Sequence, residues 1–276
     1  VMGVTSILTG NSIDTVNIQS IDAETLVNTG ADHDIINIGS LSPETGGELT
    51  GVRDILTVIG GTESDQLNVD TTNSRDRTVG TLTHRQIIGL GMTQPTNYLN
   101  QPFGPPTPAI SQTKTSLSAA ARGAAFGAGG AGTIYFDAIE GIDIGLSSAN
   151  DDFKIQRTPT NTETVLRTGG GADHIHIQQT SAKTVVETGF DSLTSTITVG
   201  SKSPSTGGVL DHIQGELIIN GSNHDRLVID DTGSRNTKGG RLTDTTLTGL
   251  GLGPKGLTYT GIAQADINLG QVSNWL

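Results

Sequence analysis

Hydrophobic residues occupy alternate positions in many short segments of this chain. Ile, Leu and Val alternate with Asn, Thr or charged residues, as in TVNI (Thr15–Ile18), QLNV (Gln66–Val69), STITV (Ser195–Val199) and RLVI (Arg226–Ile229). A period of two is typical of β-strands that bury one face. We find no segment with a sustained 3.6-residue period. The pattern therefore predicts an all-β protein.

A short turn motif precedes many of these predicted strands. It has the form G-x-x-x-D-x-Φ-x-Φ, where Φ is apolar, and Gly and Asp are residues that favour tight turns. Its six copies, with Ser in place of the Gly in one, are GNSIDTVNI (Gly10–Ile18), GADHDIINI (Gly30–Ile38), GTESDQLNV (Gly61–Val69), SSANDDFKI (Ser147–Ile155), GGGADHIHI (Gly169–Ile177) and GSNHDRLVI (Gly221–Ile229). Each copy predicts a turn that leads into a strand.

A longer repeat contains the short one. Residues 25–70 align with residues 184–230, and GSLSPETGG (Gly39–Gly47) matches GSKSPSTGG (Gly200–Gly208). Asp65 corresponds to Asp225, so the offset in residue number is 225 − 65 = 160. We predict two tandem units, residues 1–141 and 142–276, with the second continuous with the first. The last residues, INLGQVSNWL, begin a further motif, which suggests a segment of a longer array.

The spacing of the turns favours a solenoid. The residue numbers of the motif aspartates differ by 20 from Asp14 to Asp34, by 31 from Asp34 to Asp65, and by 22 from Asp151 to Asp173. Spacings of this size are typical of solenoid coils. We therefore expect a parallel β-helix, or solenoid, built from two units of about 160 residues. Two separate β-sandwiches, one per unit, are the alternative.

The first unit carries an insertion at about residues 95–131 that is rich in Pro, Ala and Gly. It includes QPFGPPTPAI and SAAARGAAFGAGGAG. One interpretation is a loop extruded from the solenoid. The other is an arm for lateral contact, because insertions in repeats often lie on a binding face.

Composition narrows the range of partners. A net charge of −12 at pH 7 argues against nucleic acid, whose binding proteins carry basic surfaces. No apolar run approaches the roughly 18 residues of a membrane span, so we expect no membrane insertion. The chain has no cysteine, which excludes disulfides and thiolate metal sites.

The turn motif resembles the hemolysin-type (RTX) calcium-binding repeat, G-G-x-G-x-D-x-U-x. Residues 168–176, TGGGADHIH, match every signature position except the first Gly. The long unit, with NTGADHDIINIG and TGLGL, also resembles tandem segments of large secreted bacterial-type surface and adhesin-like proteins. These resemblances imply an extracellular or cell-surface location, with calcium as the one cofactor to consider. In the calcium-binding family, however, the motif recurs every nine residues.

Two hypotheses follow for the turn aspartates. In one, each carboxylate accepts backbone N–H groups of its own turn. In the other, some turns hold calcium, which takes six to eight oxygen ligands. If turns stack, Asp14 would lie over Asp34 and Asp151 over Asp173. The candidate calcium ligands are Asp32, Asp34, Asp65, Asp151, Asp152, Asp173 and Asp225. A second cluster, His33, His174, His176 and His224, is interpreted as exposed polar positions on a turn face.

The function predicted from the sequence is structural. We identify no catalytic motif, and we expect no enzyme activity, no catalytic residue and no organic cofactor. We expect a segment of a large extracellular or cell-surface protein, a stalk, filament or matrix element, whose partners are neighbouring copies stacked end to end, with lateral contact through residues 95–131. The first alternative is a calcium-dependent binding or adhesion module. The second is a polysaccharide-acting β-helix, which would need a groove lined by Asp with Lys or Arg.

Overall fold

The computed structural model describes residues 4–93 and 131–276, and these residues form an all-β structure without helices. Short alternating segments separated by Gly-rich turns produce many brief strands. The nineteen strands are β1 (Thr5–Asn11), β2 (Thr15–Ile18), β3 (Thr25–Ala31), β4 (Ile35–Ile38), β5 (Leu56–Gly61), β6 (Gln66–Asp70), β7 (Val79–Leu82), β8 (Gln86–Thr93), β9 (Ala131–Asp137), β10 (Gly141–Gly145), β11 (Asp152–Ile155), β12 (Glu163–Arg167), β13 (His174–Ile177), β14 (Thr184–Glu187), β15 (Thr196–Val199), β16 (Leu217–Asp230), β17 (Gly240–Leu242), β18 (Thr246–Gly249) and β19 (Leu257–Asn268).

The predicted strands and the predicted β class are confirmed. The segment TVNI is β2, and QLNV forms most of β6. The apolar positions of the alternation point inward: Leu67 and Val69 in β6 are at most 2% exposed. The insertion at residues 95–131 lies, except for its last residue, outside the described residues.

Most strands pair in parallel with the strand two places along the chain, and these pairings form three series. The first series is β1, β3, β5 and β9. The second series is β2, β4, β6, β10, β12, β14 and the first halves of β16 and β19. The third series is β7, β11, β13, β15 and the second halves of β16 and β19. Together they make one large, mostly parallel sheet that does not close on itself.

The second unit is stacked on the first with its strands displaced by one series. β1 starts the first series, but its equivalent in the second unit, β12, continues the second series. From here on the units are counted by equivalent strands: β12 is the equivalent of β1, because each pairs with the strand that carries the aligned Val27 or Val186, so the first unit is β1–β11 and the second begins at β12. In the first unit, β2, β4, β6 and β10 each follow a strand of the first series. Their series then continues through β12, which is the first repeat strand of the second unit, because β10 pairs with both β6 and β12. The antiparallel hairpin β7–β8 folds back onto β9, so that β7 starts the third series. The hairpin β17–β18 repeats this arrangement against β19.

The core is one continuous cluster of aliphatic side chains along the three series. Equivalent strands place equivalent residues over one another, as in Ile36 over Leu67 and Ile197 over Leu227, all of which have no solvent exposure. Burial of such side chains contributes about 1.5–3 kcal/mol each relative to exposure. Phe153, the largest fully buried side chain among the described residues, lies against Gly80 of β7, where a Cβ atom would be 2.6 Å from its ring.

A column of glycines marks the ends of the first-series strands. Gly10, Gly30 and Gly61 pair in register and all have positive φ. A Cβ atom on Gly30 would be 2.0 Å from the carbonyl oxygen of Gly10, and one on Gly61 would be 1.8 Å from that of Gly30. Only glycine allows both this conformation and this close approach of successive turns.

We expect Gly30→Ala to lower the free energy of unfolding by about 3 kcal/mol or more, because it combines positive-φ strain with a backbone clash. Gly10→Ala is the matched control, since Gly10 also has positive φ but has nothing within 4 Å of an added Cβ. It should cost only about 1 kcal/mol. Urea denaturation measures both, and equal losses would show that close approach between turns is unimportant.

Candidate functional site

The turn aspartates of the first unit form a hydrogen-bonded chain from turn to turn. The N–H of Asp14 donates to Oδ1 of Asp34 at 2.8 Å, and the N–H of Asp34 donates to Oδ1 of Asp65 at 2.9 Å. The N–H of Asp65 then donates to Oε2 of Glu140 at 2.9 Å. Asp34 and Asp65 are each 1% exposed. We call this chain the first carboxylate ladder.

A second carboxylate ladder runs before the strands of the third series. The N–H of Thr78 donates to Oδ1 of Asp151 at 2.6 Å, and the N–H of Asp151 donates to Oδ1 of Asp173 at 2.9 Å. Ser195 takes the next position: its Oγ accepts the N–H of Asp173 at 3.1 Å, and its own N–H donates to Asp225 at 2.9 Å. All four acceptor residues in this ladder are buried.

The ladders show where the turn aspartates find their donors. The expected stacking of Asp14 on Asp34 and of Asp151 on Asp173 is present. Oδ1 of each ladder aspartate accepts a backbone N–H of the preceding turn. The hypothesis that a carboxylate accepts N–H groups of its own turn also holds for Asp151 and Asp225, whose Oδ2 atoms accept the N–H of Ser147 at 3.0 Å and that of Ser222 at 2.7 Å. Each hydrogen bond to Oδ1 therefore joins two successive turns. It supplies a charged acceptor for a turn N–H that has no partner in the strand pairing.

Asp151 makes the largest number of these contacts. Besides the N–H of Thr78, it accepts the Thr78 hydroxyl at 2.9 Å. Its Oδ2 accepts the N–H of Ser147 at 3.0 Å and the Ser147 hydroxyl at 2.9 Å. The side chain has no exposed surface, so these four donors replace the water that the carboxylate has lost.

Burial changes the acidity of two ladder aspartates. It raises the pKa of Asp173 to about 6, against the opposing effect of hydrogen bonds from Thr168, Asp151 and Ser195. It also raises the pKa of Asp65, with the neighbouring charges of Asp34 and Glu140 acting in the same direction. Successive carboxylates in one ladder thus repel one another, and the backbone N–H groups between them offset part of this cost.

The seven candidate calcium ligands fall into two groups. Asp34, Asp65, Asp151, Asp173 and Asp225 belong to the ladders, and each carboxylate has a protein donor. Asp32 is exposed and has positive φ, and Asp152 pairs with Arg77 at 2.9 Å. Within residues 4–93 and 131–276, no three His, Asp or Glu side chains converge as a metal site would require. The Oδ2 atoms of Asp34 and Asp65 are buried and lack partners among the described residues, and the same is true of Oδ2 of Asp14, Asp54 and Asp231.

The histidines are spread over separate contacts. His174 and His176 lie with ring centroids 6.5 Å apart, and Nδ1 of His176 lies 2.9 Å from Oγ1 of Thr198. His33 contacts the backbone of Ser64 at 3.2 Å. Burial lowers the pKa of His176, so its neutral form is favoured.

Two shallow grooves open beside the ladders. A groove of about 440 Å³ is acidic, with Asp65, Glu140, Asp143 and Glu163 in its lining. A smaller one of about 250 Å³ combines Asp137 with His84, Arg85 and Arg157. Burial and the two arginines lower the pKa of His84, and Arg85 already pairs with Asp137 at 3.5 Å.

Two further sets of repeated residues were not predicted from the sequence. Asp70 accepts the N–H of Gly47 at 2.7 Å, and Asp230 accepts that of Gly208 at the same distance, so each closes the SPETGG or SPSTGG loop of its unit. The available signal was their recurrence, as the last residues of β6 and β16, at the same offset in residue number as the two units, 230 − 70 = 160. An asparagine ladder runs along the second series. Nδ2 of Asn37 donates to Asn17 at 2.9 Å, and Nδ2 of Asn68 donates to Asn37 at 2.8 Å.

Comparison with known proteins gives no identification. No family model matches the chain, and no curated protein or solved structure shows significant similarity to it. The described residues include no helix with the length and hydropathy needed to span a bilayer.

We expect Asp151→Ala to lower the free energy of unfolding by about 3–5 kcal/mol, because it leaves two buried N–H groups and two hydroxyls without their acceptor. Asp152→Ala is the neighbouring control. It removes a partly exposed ion pair with Arg77 and should cost less than about 1 kcal/mol. Chemical denaturation of both variants tests the difference, and similar losses would contradict a structural role of the second ladder.

We expect Asp173→Asn to change how stability depends on pH. Because the folded-state pKa of Asp173 is raised from 3.8 to about 6, its contribution is fully present below pH 3.8 and is lost as pH rises through about 6. The Asn variant keeps an acceptor for the N–H of Asp151 but does not titrate. Between pH 4 and 7 the wild type should lose about 1–2 kcal/mol relative to this variant, after allowance for solvent screening. Parallel curves of unfolding free energy against pH would refute the shifted acidity.

Proposed function

We propose that this chain is a structural segment of a large extracellular or cell-surface protein, a stalk, filament or matrix element. In this proposal the strands stack as a β-solenoid, and units of about 160 residues follow one another end to end. The location outside the cell is suggested by the resemblance to surface-protein repeats. The acidic composition of the chain, with a net charge of −12 at pH 7, suits a solvated extracellular surface.

The observation that carries the proposal is the shift of one series between units. The second unit begins by pairing β12 on β10, which is the same kind of in-register parallel pairing that joins β4 to β6 inside the first unit. Adding a unit therefore uses the interactions that already build each unit. Nearest-neighbour contacts of this kind are the basis of extensible repeat proteins.

The polar side-chain contacts between neighbouring strands also suit a passive structural role. The asparagine ladder joins three successive strands through side-chain amides, and such ladders stabilise in-register parallel strands. On the second unit, Arg167 pairs with Asp143 and with Glu187, so ion pairs continue the contacts between neighbouring strands.

A calcium-dependent binding or adhesion module is the second candidate. It is favoured by the buried Oδ2 atoms of Asp34 and Asp65, which have no partner among the described residues. Melting in millimolar calcium and in EDTA separates the candidates: a rise of several degrees with calcium supports this one, and equal melting temperatures count against it. The polysaccharide-acting alternative would use the groove of Asp137, Arg85 and Arg157.

The structural proposal predicts that units add length and stability. By the repeat, Leu276 is the equivalent of Phe153, and residue 4 is the equivalent of residue 163. Residues 154–162 (KIQRTPTNT) lie between Phe153 and residue 163, so they are the natural link between two copies. A tandem fusion of Val4–Leu276 through this link should roughly double the maximum dimension in small-angle scattering and raise the melting temperature above that of one copy.

A fusion through a long Gly/Ser linker is the control, since it leaves the register unspecified. Two copies that melt at the single-copy temperature in both fusions, with scattering typical of independent bodies, would contradict the proposal.

A further inference from the structure

The two ends of the strand series are open and differ from each other. At one end, which we call the head, β1 pairs only with β3 and β2 only with β4 among the described residues. At the other end, the tail, residues 264–268 of β19 pair with β16 on one side only. Beyond β19, Trp275 forms an isolated parallel bridge with Gly239, the residue before β17.

The joint between the two units shows what such edges bind. There β12 pairs with β10, placing Leu166 on Ile144, and β13 pairs with β11, placing Ile175 on Phe153. The N–H of Asp151 donates to Asp173 across the same joint at 2.9 Å. All four apolar residues have no solvent exposure.

The head and the tail carry the equivalents of the two sides of this joint. Ile134 and Leu257 are equivalent, because they pair with Leu56 and Leu217 at the same position of the two units. Their offset in residue number is 257 − 134 = 123, which makes Ile267 the equivalent of Ile144. Val27 and Val186 are likewise equivalent, an offset of 186 − 27 = 159, which makes Ile7 the equivalent of Leu166.

Burial differs between the joint and the open ends. Ile7 and Ile267 are only partly buried, whereas Leu166 and Ile144 are fully buried. Leu276, the equivalent of Phe153, is 48% exposed. An open groove of about 570 Å³ lies at the head between Ile7, Ile18 and Ile21. The apolar surface that one unit covers on the other inside the chain is thus left uncovered at both ends by the residues that the structure describes.

The tail also repeats the first contact of the second carboxylate ladder. Asn274 accepts the N–H of Lys238 at 2.9 Å, as Asp151 accepts that of Thr78 at 2.6 Å. The next acceptor in the ladder would be the equivalent of Asp173, which is Asp14 at the head. Oδ2 of Asp14 is buried and has no hydrogen-bond partner in the described structure.

We propose that the head of one copy of this chain binds the tail of another in the register of the internal joint. Residue 4 and the first four residues of β1 pair in parallel with residues 264–268 of β19, so that Ile7 lies on Ile267 and Leu8 beside Asn268. Residues 15–16 of β2 pair with residues 275–276, and Asp14 accepts the N–H of Asn274. This joint rests on the proposed function and specifies its partner and register.

Disulfide cross-linking tests the register directly, because the chain contains no cysteine. Leu8 and Asn268 are exposed and would be direct neighbours across the joint, within the Cα separation that a disulfide accepts. We expect a mixture of Leu8→Cys and Asn268→Cys chains to form a mixed disulfide dimer at least tenfold faster than a mixture of Leu8→Cys and Gln264→Cys, whose positions are four residues out of register. Equal rates would overturn the proposed joint.

A proline variant separates the joint from the fold. The N–H of Thr5 donates to Glu24 within the chain, so the N–H of the next residue, Ser6, points away from β3 toward the proposed partner. Proline is tolerated at such an edge position, so Ser6→Pro should leave the melting temperature within about 2 °C. The same variant should reduce the cross-linking of Leu8→Cys to Asn268→Cys at least tenfold.

Cross-linking that persists in the proline variant would overturn the register. If the joint fails in both tests while the tandem fusion still extends and stabilises, the structural function stands and the head-to-tail contact between separate chains is refuted.

Discussion

The hydrogen bond from a turn N–H to the carboxylate of the next turn is the interaction on which the rest of the structure depends. Strand pairing satisfies the backbone within the strands, but each turn presents an N–H group that needs its own acceptor. Asp34, Asp65, Asp151 and Asp173 supply it from the adjacent turn. Because each carboxylate is fixed in its own turn, the contact holds neighbouring turns in register and keeps the apolar positions of successive strands over one another.

The same constraint explains the glycines and the shift between units. Gly30 and Gly61 let the turns approach closely enough for the ladder, since any side chain there would meet the neighbouring carbonyl. The hairpin β7–β8 then gives the third series its first strand, and Asp151 continues the pattern there by accepting the N–H of Thr78 just before β7. A unit can therefore follow another with its core and its ladders both continuing.

The strands and the stacking of equivalent turns could be predicted from the sequence, because alternation and recurrence are local signals. Three features could not. Oδ1 of each ladder aspartate takes its donor from the preceding turn, and only the register of the strand pairing decides which N–H that is. Glu140 and Ser195 replace Asp in the ladders, so the motif does not mark them. The shift of one series arises from the hairpin β7–β8, where the sequence shows only two short apolar segments.

Amide hydrogen exchange measured by NMR tests the central claim most directly. The N–H groups of Asp34, Asp151 and Ser195 lie in turns, where amides bound only to water exchange rapidly. The account predicts that these three exchange as slowly as amides in the middle of the buried strands β4 and β15, because each donates to a buried carboxylate of the next turn. Exchange at the rate of exposed turn amides, with the strands still protected, would contradict it.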